Sequence, residues 1–125
     1  MTNENGKSRE EQKTCKFDLE ERTAKFGEAV IAFAKSMPKD VVTLPLIDQF
    51  VRSGTGIGAN YCEADDAVSK REFRVKINSC KKEARETKYW LRMIVAADSS
   101  KKIQARLLWK EAKELHLIFA SIYRK

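Results

Sequence analysis

Seven residues between Phe73 and Ile94 constrain this chain more than any others. Phe73, Ile77, Cys80, Ala84, Thr87, Leu91 and Ile94 follow one another at steps of four and three throughout. That spacing draws a single stripe down one face of an α-helix, the pattern of a helix packed against other helices. Ser69 and Glu72 precede it as a capping box, S-x-x-E, in which the serine oxygen accepts from the helix's first amides. Asp98, Ser99 and Ser100 break the pattern. A helix from Ser69 to about Ala97 would be roughly 43 Å long at 1.5 Å per residue, too long to be buried as a lone element. It needs partners of similar length.

The rest of the chain supplies three. Asp18 and Glu21 form an aspartate version of the capping box, followed by Leu19, Thr23, Phe26, Val30, Phe33 and Met37 at alternating steps, and Pro38 ends that helix. Thr43 can cap a second helix over about Leu44 to Ala67, with Pro45 in its first turn, where a missing N–H has no partner anyway. Asp98 to Ser100 can cap a fourth, whose Ile103, Leu107, Leu108, Leu115, Ile118, Phe119 and Ile122 make a broader stripe. Short connections make neighbours antiparallel. The expectation is an all-α, up-down-up-down four-helix bundle over residues 17–125, with residues 1–16, polar and aperiodic, as a disordered tail.

The second helix carries an anomaly. Its seam runs Ile47, Phe50, Gly54, Ile57, Tyr61 and Ala64, and the segment RSGTGIGANYCEA from Arg52 to Ala64 holds three glycines. Each costs about 0.8 to 1 kcal/mol relative to alanine in a helix interior, so close packing has to offset Gly54, Gly56 and Gly58. Gly54 and Gly58 stand one turn apart, where a neighbouring helix can approach. Ser53, Gly56, Asn60 and Glu63 form a second, small and polar stripe beside the seam, suited to another contact within the chain or between subunits.

Several function classes recede on composition and motif. No apolar run reaches the 18 residues of a membrane span and no signal peptide opens the chain, so a cytoplasmic protein without a membrane partner is expected. Cys15, Cys62 and Cys80 include no CxxC pair, and His116 is the single histidine, which excludes a nucleophilic triad and a histidine-rich metal site within one subunit. Cys62 and Cys80 read as small hydrophobes on or near seams. GTGIG lacks the GK[ST] ending of a phosphate loop and follows no strand. Asp65 and Asp66 mark the end of the second helix rather than a metal site. No catalytic residue, cofactor or metal is expected.

Charge is the positive signal. Net charge is +7, yet residues 67–125 hold sixteen bases against six acids, while residues 18–66 sum to −4. On the third helix Arg71, Arg85 and Arg92 recur at sevens or multiples of seven, interleaved with Arg74, Lys81 and Lys88. Lys102, Arg106, Lys110 and Lys113 share one face of the fourth. These ten residues are the candidate binding surface for a nucleic-acid backbone, RNA or DNA, through counterion release and without base reading. Against it stands the ordinary role of a solvated charged face, with Glu83 and Glu86 near enough to neutralise some of the cations. Tyr89 and Trp90 adjoin the stripe and could stack on unpaired bases, but they, Trp109 and Tyr123 read first as core or subunit contacts.

RSGTGIGANYCEA, the serine-capped SKREF at Ser69 to Phe73 and KKEARETKYWL at Lys81 to Leu91 together resemble the bacterial four-helix-bundle proteins encoded in intervening sequences of 23S rRNA genes. The resemblance covers about residues 17–123 and implies a left-handed bundle that assembles with itself as a closed ring, commonly a homopentamer, with no established enzymatic activity. A similar bundle is the accessory variability protein of diversity-generating retroelements, which binds nucleic acid and a reverse transcriptase. Arg52, Ser53, Asn60, Glu63, Ala64, Glu72, Phe73, Glu83, Arg85, Glu86, Tyr89 and Trp90 match the family pattern. Gly54, Gly58, Asn60, Glu63 and Glu86 are expected to serve helix packing, with a polar inter-helical network among Asn60, Glu63, Arg85 and Glu86. The reading is a non-enzymatic, homo-oligomeric bundle with a basic nucleic-acid-binding face. The alternative is a scaffold ring that binds an acidic or reverse-transcriptase-like protein; a nuclease has little support, since no carboxylate cluster has metal-ligand spacing.

Overall fold

The computed structural model describes residues 9–125, with side chains from residue 19 onward. Four α-helices follow one another: α1 (Arg9–Lys35), α2 (Thr43–Asp65), α3 (Lys70–Ala97) and α4 (Lys102–Arg124), with a single 3₁₀ turn, Ser99–Lys101, leading into α4. Each packs antiparallel against the next, and one hydrophobic core runs through all four. The expected bundle is the one observed.

Its first boundary differs from expectation. Helix α1 starts at Arg9, so residues 9–16 are helical rather than tail, and Asp18 stands inside the helix instead of capping it. The segment REEQKTCK is built almost wholly from strong helix formers and no glycine or proline interrupts residues 7–26, so propensity carries the helix past the last seam residue. The remainder of the expected tail, residues 1–8, lies outside the described residues.

The first amides of α2 are capped by Asp40 rather than Thr43. Asp40 Oδ1 accepts from the amides of Val42 and Thr43, both at 2.9 Å, and these bonds hold its carboxyl below the ordinary value. Thr43 turns its hydroxyl back to the Pro38 carbonyl at 2.6 Å and is buried there. At the start of α3 the capping box forms in a shifted version. Ser69 Oγ accepts from the Glu72 amide at 3.1 Å, while the Glu72 carboxylate accepts from the amide of Val68 at 3.0 Å, one residue earlier than the usual partner. Asp98 caps the 3₁₀ turn through the Ser100 amide.

The seams of α1, α2 and α3 lie in the core as their spacing requires, with Leu19, Ile47 and Phe73 half-buried at the ends. Helix α4 follows its apolar stripe from Leu108 onward but not before it. Ile103 is 80% exposed and Leu107 66%, whereas Ala105, Ala112, Leu115 and Phe119 are buried. The working seam is Ala105, Leu108, Ala112, Leu115, Phe119 and Ile122, again at threes and fours. Two alanines in it let α4 sit close to its neighbours, and a rule that looks for large side chains passes over them.

The glycines divide between two crossings. A methyl group at Gly54 would meet Val30 Cγ2 at 2.7 Å and Cγ1 at 2.9 Å, and one at Gly58 would meet Thr23 Oγ1 at 3.2 Å. So α1 fits into α2 through its side chains, with Val30 filling the place of the absent Cβ. Gly56 faces the other way and leaves room for the carboxylate of Glu83 on α3. The polar stripe is thus an intramolecular contact: Ser53 meets Thr87, Gly56 meets Glu83 and Glu63 meets Lys76. The network expected among Asn60, Glu63, Arg85 and Glu86 does not form. Asn60 Nδ2 donates to Gly56 O of its own helix at 2.9 Å, Glu63 reaches Lys76 at 2.6 Å, and Glu86 lies near Glu83 of its own helix and raises that carboxyl. Side chains at the flanks of a seam reach whatever the register sets opposite, and here that is not Arg85.

Candidate nucleic-acid interface

Helices α3 and α4 run antiparallel, and what matters is which cations their register brings together. Arg74, Lys81 and Lys88 occupy successive heptad positions on the flank of α3 that faces α4. Opposite them α4 presents Trp109, His116 and Tyr123, also at sevens. The two heptads interlock. The guanidinium carbon of Arg74 lies 4.5 Å from the centre of the Tyr123 ring and the Lys81 ammonium 4.9 Å from it. Lys88 and Lys113 approach the Trp109 ring to 5.5 and 5.7 Å. His116 Nδ1 lies 3.1 Å from the Lys81 carbonyl, which fixes the imidazole between the two aromatic rings. Each ring's quadrupole draws cations to its face and so lets like charges gather that would otherwise repel.

Arg92, Lys102 and Arg106 close the far end of this row. They rim an open cleft of about 330 Å³ whose floor is Leu91, Val95 and Ala105 and whose wall is Trp109. Lys81 and Lys88 are half-buried and the other eight candidate cations exposed. Arg71, Arg85 and Lys110 join none of these ring contacts or the cleft, so the structure gathers seven of the ten into one strip. Among the described residues no carboxylate stands within ion-pair distance of any of the ten. Glu111 is engaged by Arg22 of α1, at 2.7 and 2.9 Å, and Glu83 turns towards Gly56. The neutralisation that Glu83 and Glu86 offered on spacing alone does not occur.

Tyr89 and Trp90 part company: Tyr89 is exposed, while Trp90 packs against the core. Trp109, His116 and Tyr123 were not singled out as site residues by the sequence. The signal was present in their sevenfold recurrence beside Lys102, Arg106 and Lys113, but only the register of α4 on α3 sets it opposite the basic heptad. Cys80 is buried in the core, where desolvation raises its thiol to about 12; Cys62 is exposed, so it is no core residue. Among the described residues no three of His, Cys, Asp and Glu converge on a possible metal position, and no helix is long and apolar enough to cross a membrane.

A four-helix bundle with a cationic, aromatic-lined strip on one helix pair defines a structural class before any relative is considered. The chain belongs to the 23S rRNA-intervening sequence protein family, whose model matches residues 16–121. It is similar to a crystal structure, at 1.70 Å resolution, of a protein of unknown function from the S23 ribosomal protein family of Bacteroides thetaiotaomicron. The two are 27% identical with a TM-score of 0.80, over 88% of this chain and 98% of that one. Among curated proteins none is significantly similar to this chain.

Proposed function

We propose that this chain is a non-enzymatic protein that assembles with copies of itself and holds RNA or DNA by the phosphate backbone along α3 and α4. The observation that carries the reading is the strip of seven cations between these helices, free of carboxylate partners among the described residues. Cations kept only for solubility are served by interspersed acids, and they lose nothing by pairing with them. A one-sign strip instead concentrates polyanions and gains free energy from the counterions they release.

A second reading has its own observation. Ile103 and Leu107 expose large apolar side chains on the outer side of α4, and Leu107 lines an open cleft with Ala32 and Phe33 of α1 and with Ser36 just beyond it. Such a surface suits a protein neighbour, either another copy or an acidic partner drawn in by the strip.

Binding of duplex and single-stranded RNA and DNA across a salt series, with solution mass measured alongside, separates the two. Under the nucleic-acid reading log affinity falls steeply with log salt, and replacing Arg74, Lys81 and Lys88 by glutamine makes that slope shallower by about 3. No binding at low salt retires it in favour of the scaffold.

A further inference from the structure

Backbone capture alone does not call for aromatic rings, yet the strip is built round them. We propose that the cleft between the end of α3 and the start of α4 is a nucleobase pocket, so that the protein selects single-stranded over duplex nucleic acid. The inference rests on the backbone-binding reading above and adds the class of ligand.

The cleft has what an unpaired nucleotide requires. Its apolar floor offers no polar group that a base would have to desolvate, and Trp109, 37% exposed, lines it with an indole ring on which a base would stack once Lys88 or Lys113 gives way. Arg92, Lys102 and Arg106 at the rim are placed for the phosphate that follows such a base into the site. A base in a duplex is stacked on both faces and cannot enter without being extruded, which costs free energy that a single strand does not spend.

The row beyond the cleft extends the same chemistry. Trp109 and Tyr123 are fourteen residues apart on one helix, about 21 Å along its axis, with His116 midway. Each outer ring is already covered by two cations. An arriving strand exchanges partners with them: a base takes the ring face, and the displaced lysine or arginine turns to the adjacent phosphate. The aromatic contacts in the free protein thereby hold the cations in place for a ligand, keeping them away from solvent-exposed carboxylates. Sequence reading is not part of the proposal, because every base has a face to stack.

The test compares four ligands of matched charge across a salt series: a pyrimidine single strand, made both as RNA and as DNA, an abasic strand of the same length, and a duplex of half that length. Fluorescence anisotropy gives the affinities. The single strand is expected to bind about tenfold more tightly than the abasic strand. Trp109→Ala should abolish that preference, costing the single strand about tenfold more affinity than the abasic strand, and Arg92→Gln with Lys102→Gln should weaken both. Trp109→Leu, which keeps the volume of the wall, serves if the alanine variant loses helicity. In a Trp90→Phe background the remaining indole should be quenched by the single strand and not by the abasic one. Equal affinity for single and abasic strands, with a steep salt slope for both, overturns the pocket and leaves backbone binding standing. Absence of binding to all of them at low salt overturns both. Equal gains for RNA and DNA assign the selectivity to stacking; a gain for RNA alone would show the sugar hydroxyl being read and would overturn the stacking account.

Discussion

The hydroxyls of Ser53 on α2 and Thr87 on α3 lie 2.9 Å apart in the core, a buried hydrogen bond between two helices at the heart of an apolar seam. Thr87 also reaches the Glu83 carbonyl at 2.8 Å, and Ser53 the Phe50 carbonyl at 3.3 Å, so both oxygens are satisfied. Thr87→Val keeps shape and removes the link, leaving Ser53 with a weak intrahelical bond. The expected loss is about 1 kcal/mol in urea denaturation. Adding Ser53→Ala should cost less than it does alone, with a coupling of about 0.5 kcal/mol or more. Strict additivity would mean the two hydroxyls do not stabilise each other.

Gly54 and Gly58 should answer differently to the same change. Gly54→Ala gains about 1 kcal/mol of helix propensity but drives a methyl into Val30, and overpacking of a fixed core costs about 1 to 3 kcal/mol. A net loss of stability is expected, recovered in part by Val30→Ala. Gly58→Ala meets only Thr23, at 3.2 Å, and should be close to neutral. If thermal denaturation orders the pair the other way, the α1–α2 crossing is not as close at Gly54 as described.

Burial raises the Glu83 carboxyl to about 7 from an ordinary 4.5, with Glu86 adding to the rise and Arg52 opposing it. The folded chain therefore holds this proton more tightly than the unfolded chain does. From this group, stability is highest below 4.5, declines as pH rises through the window to 7 and is level above it. Glu83→Gln should remove that decline. Gly56→Ala should do the same, because the new methyl takes the space of the carboxylate and turns it outward. Denaturation midpoints against pH check both, and an unchanged slope in Glu83→Gln would assign the decline to another group.

Helix α4 offers a test of its own seam. Ile103→Ser and Leu107→Ser, at exposed positions, should shift stability by no more than about 0.5 kcal/mol. Ala105→Leu or Ala112→Leu, at positions with almost no exposure, should cost about 1 to 3 kcal/mol. Sedimentation of the two serine variants shows in addition whether those apolar side chains hold copies of the chain together.

Local pattern settled most of the architecture. The threes and fours of α1, α2 and α3, the stop at Pro38 and the serine cap at Ser69 need only the geometry of one helix to be interpreted, and the chain's own spacing contains that geometry. The start of α1 leaves no such mark, because residues 9–16 have helix propensity but no apolar period in the sequence. The polar contacts and the candidate site were decided by tertiary structure, since each depends on residues 34 to 89 positions apart being brought level: Ser53 with Thr87, Arg22 with Glu111. The basic heptad Arg74, Lys81 and Lys88 could be read from the chain, and so could the aromatic heptad Trp109, His116 and Tyr123. That they face each other follows from how α4, turned so that Ala105 and Ala112 are buried, is set against α3, and packing of that kind is a property of two surfaces together, written in neither helix alone.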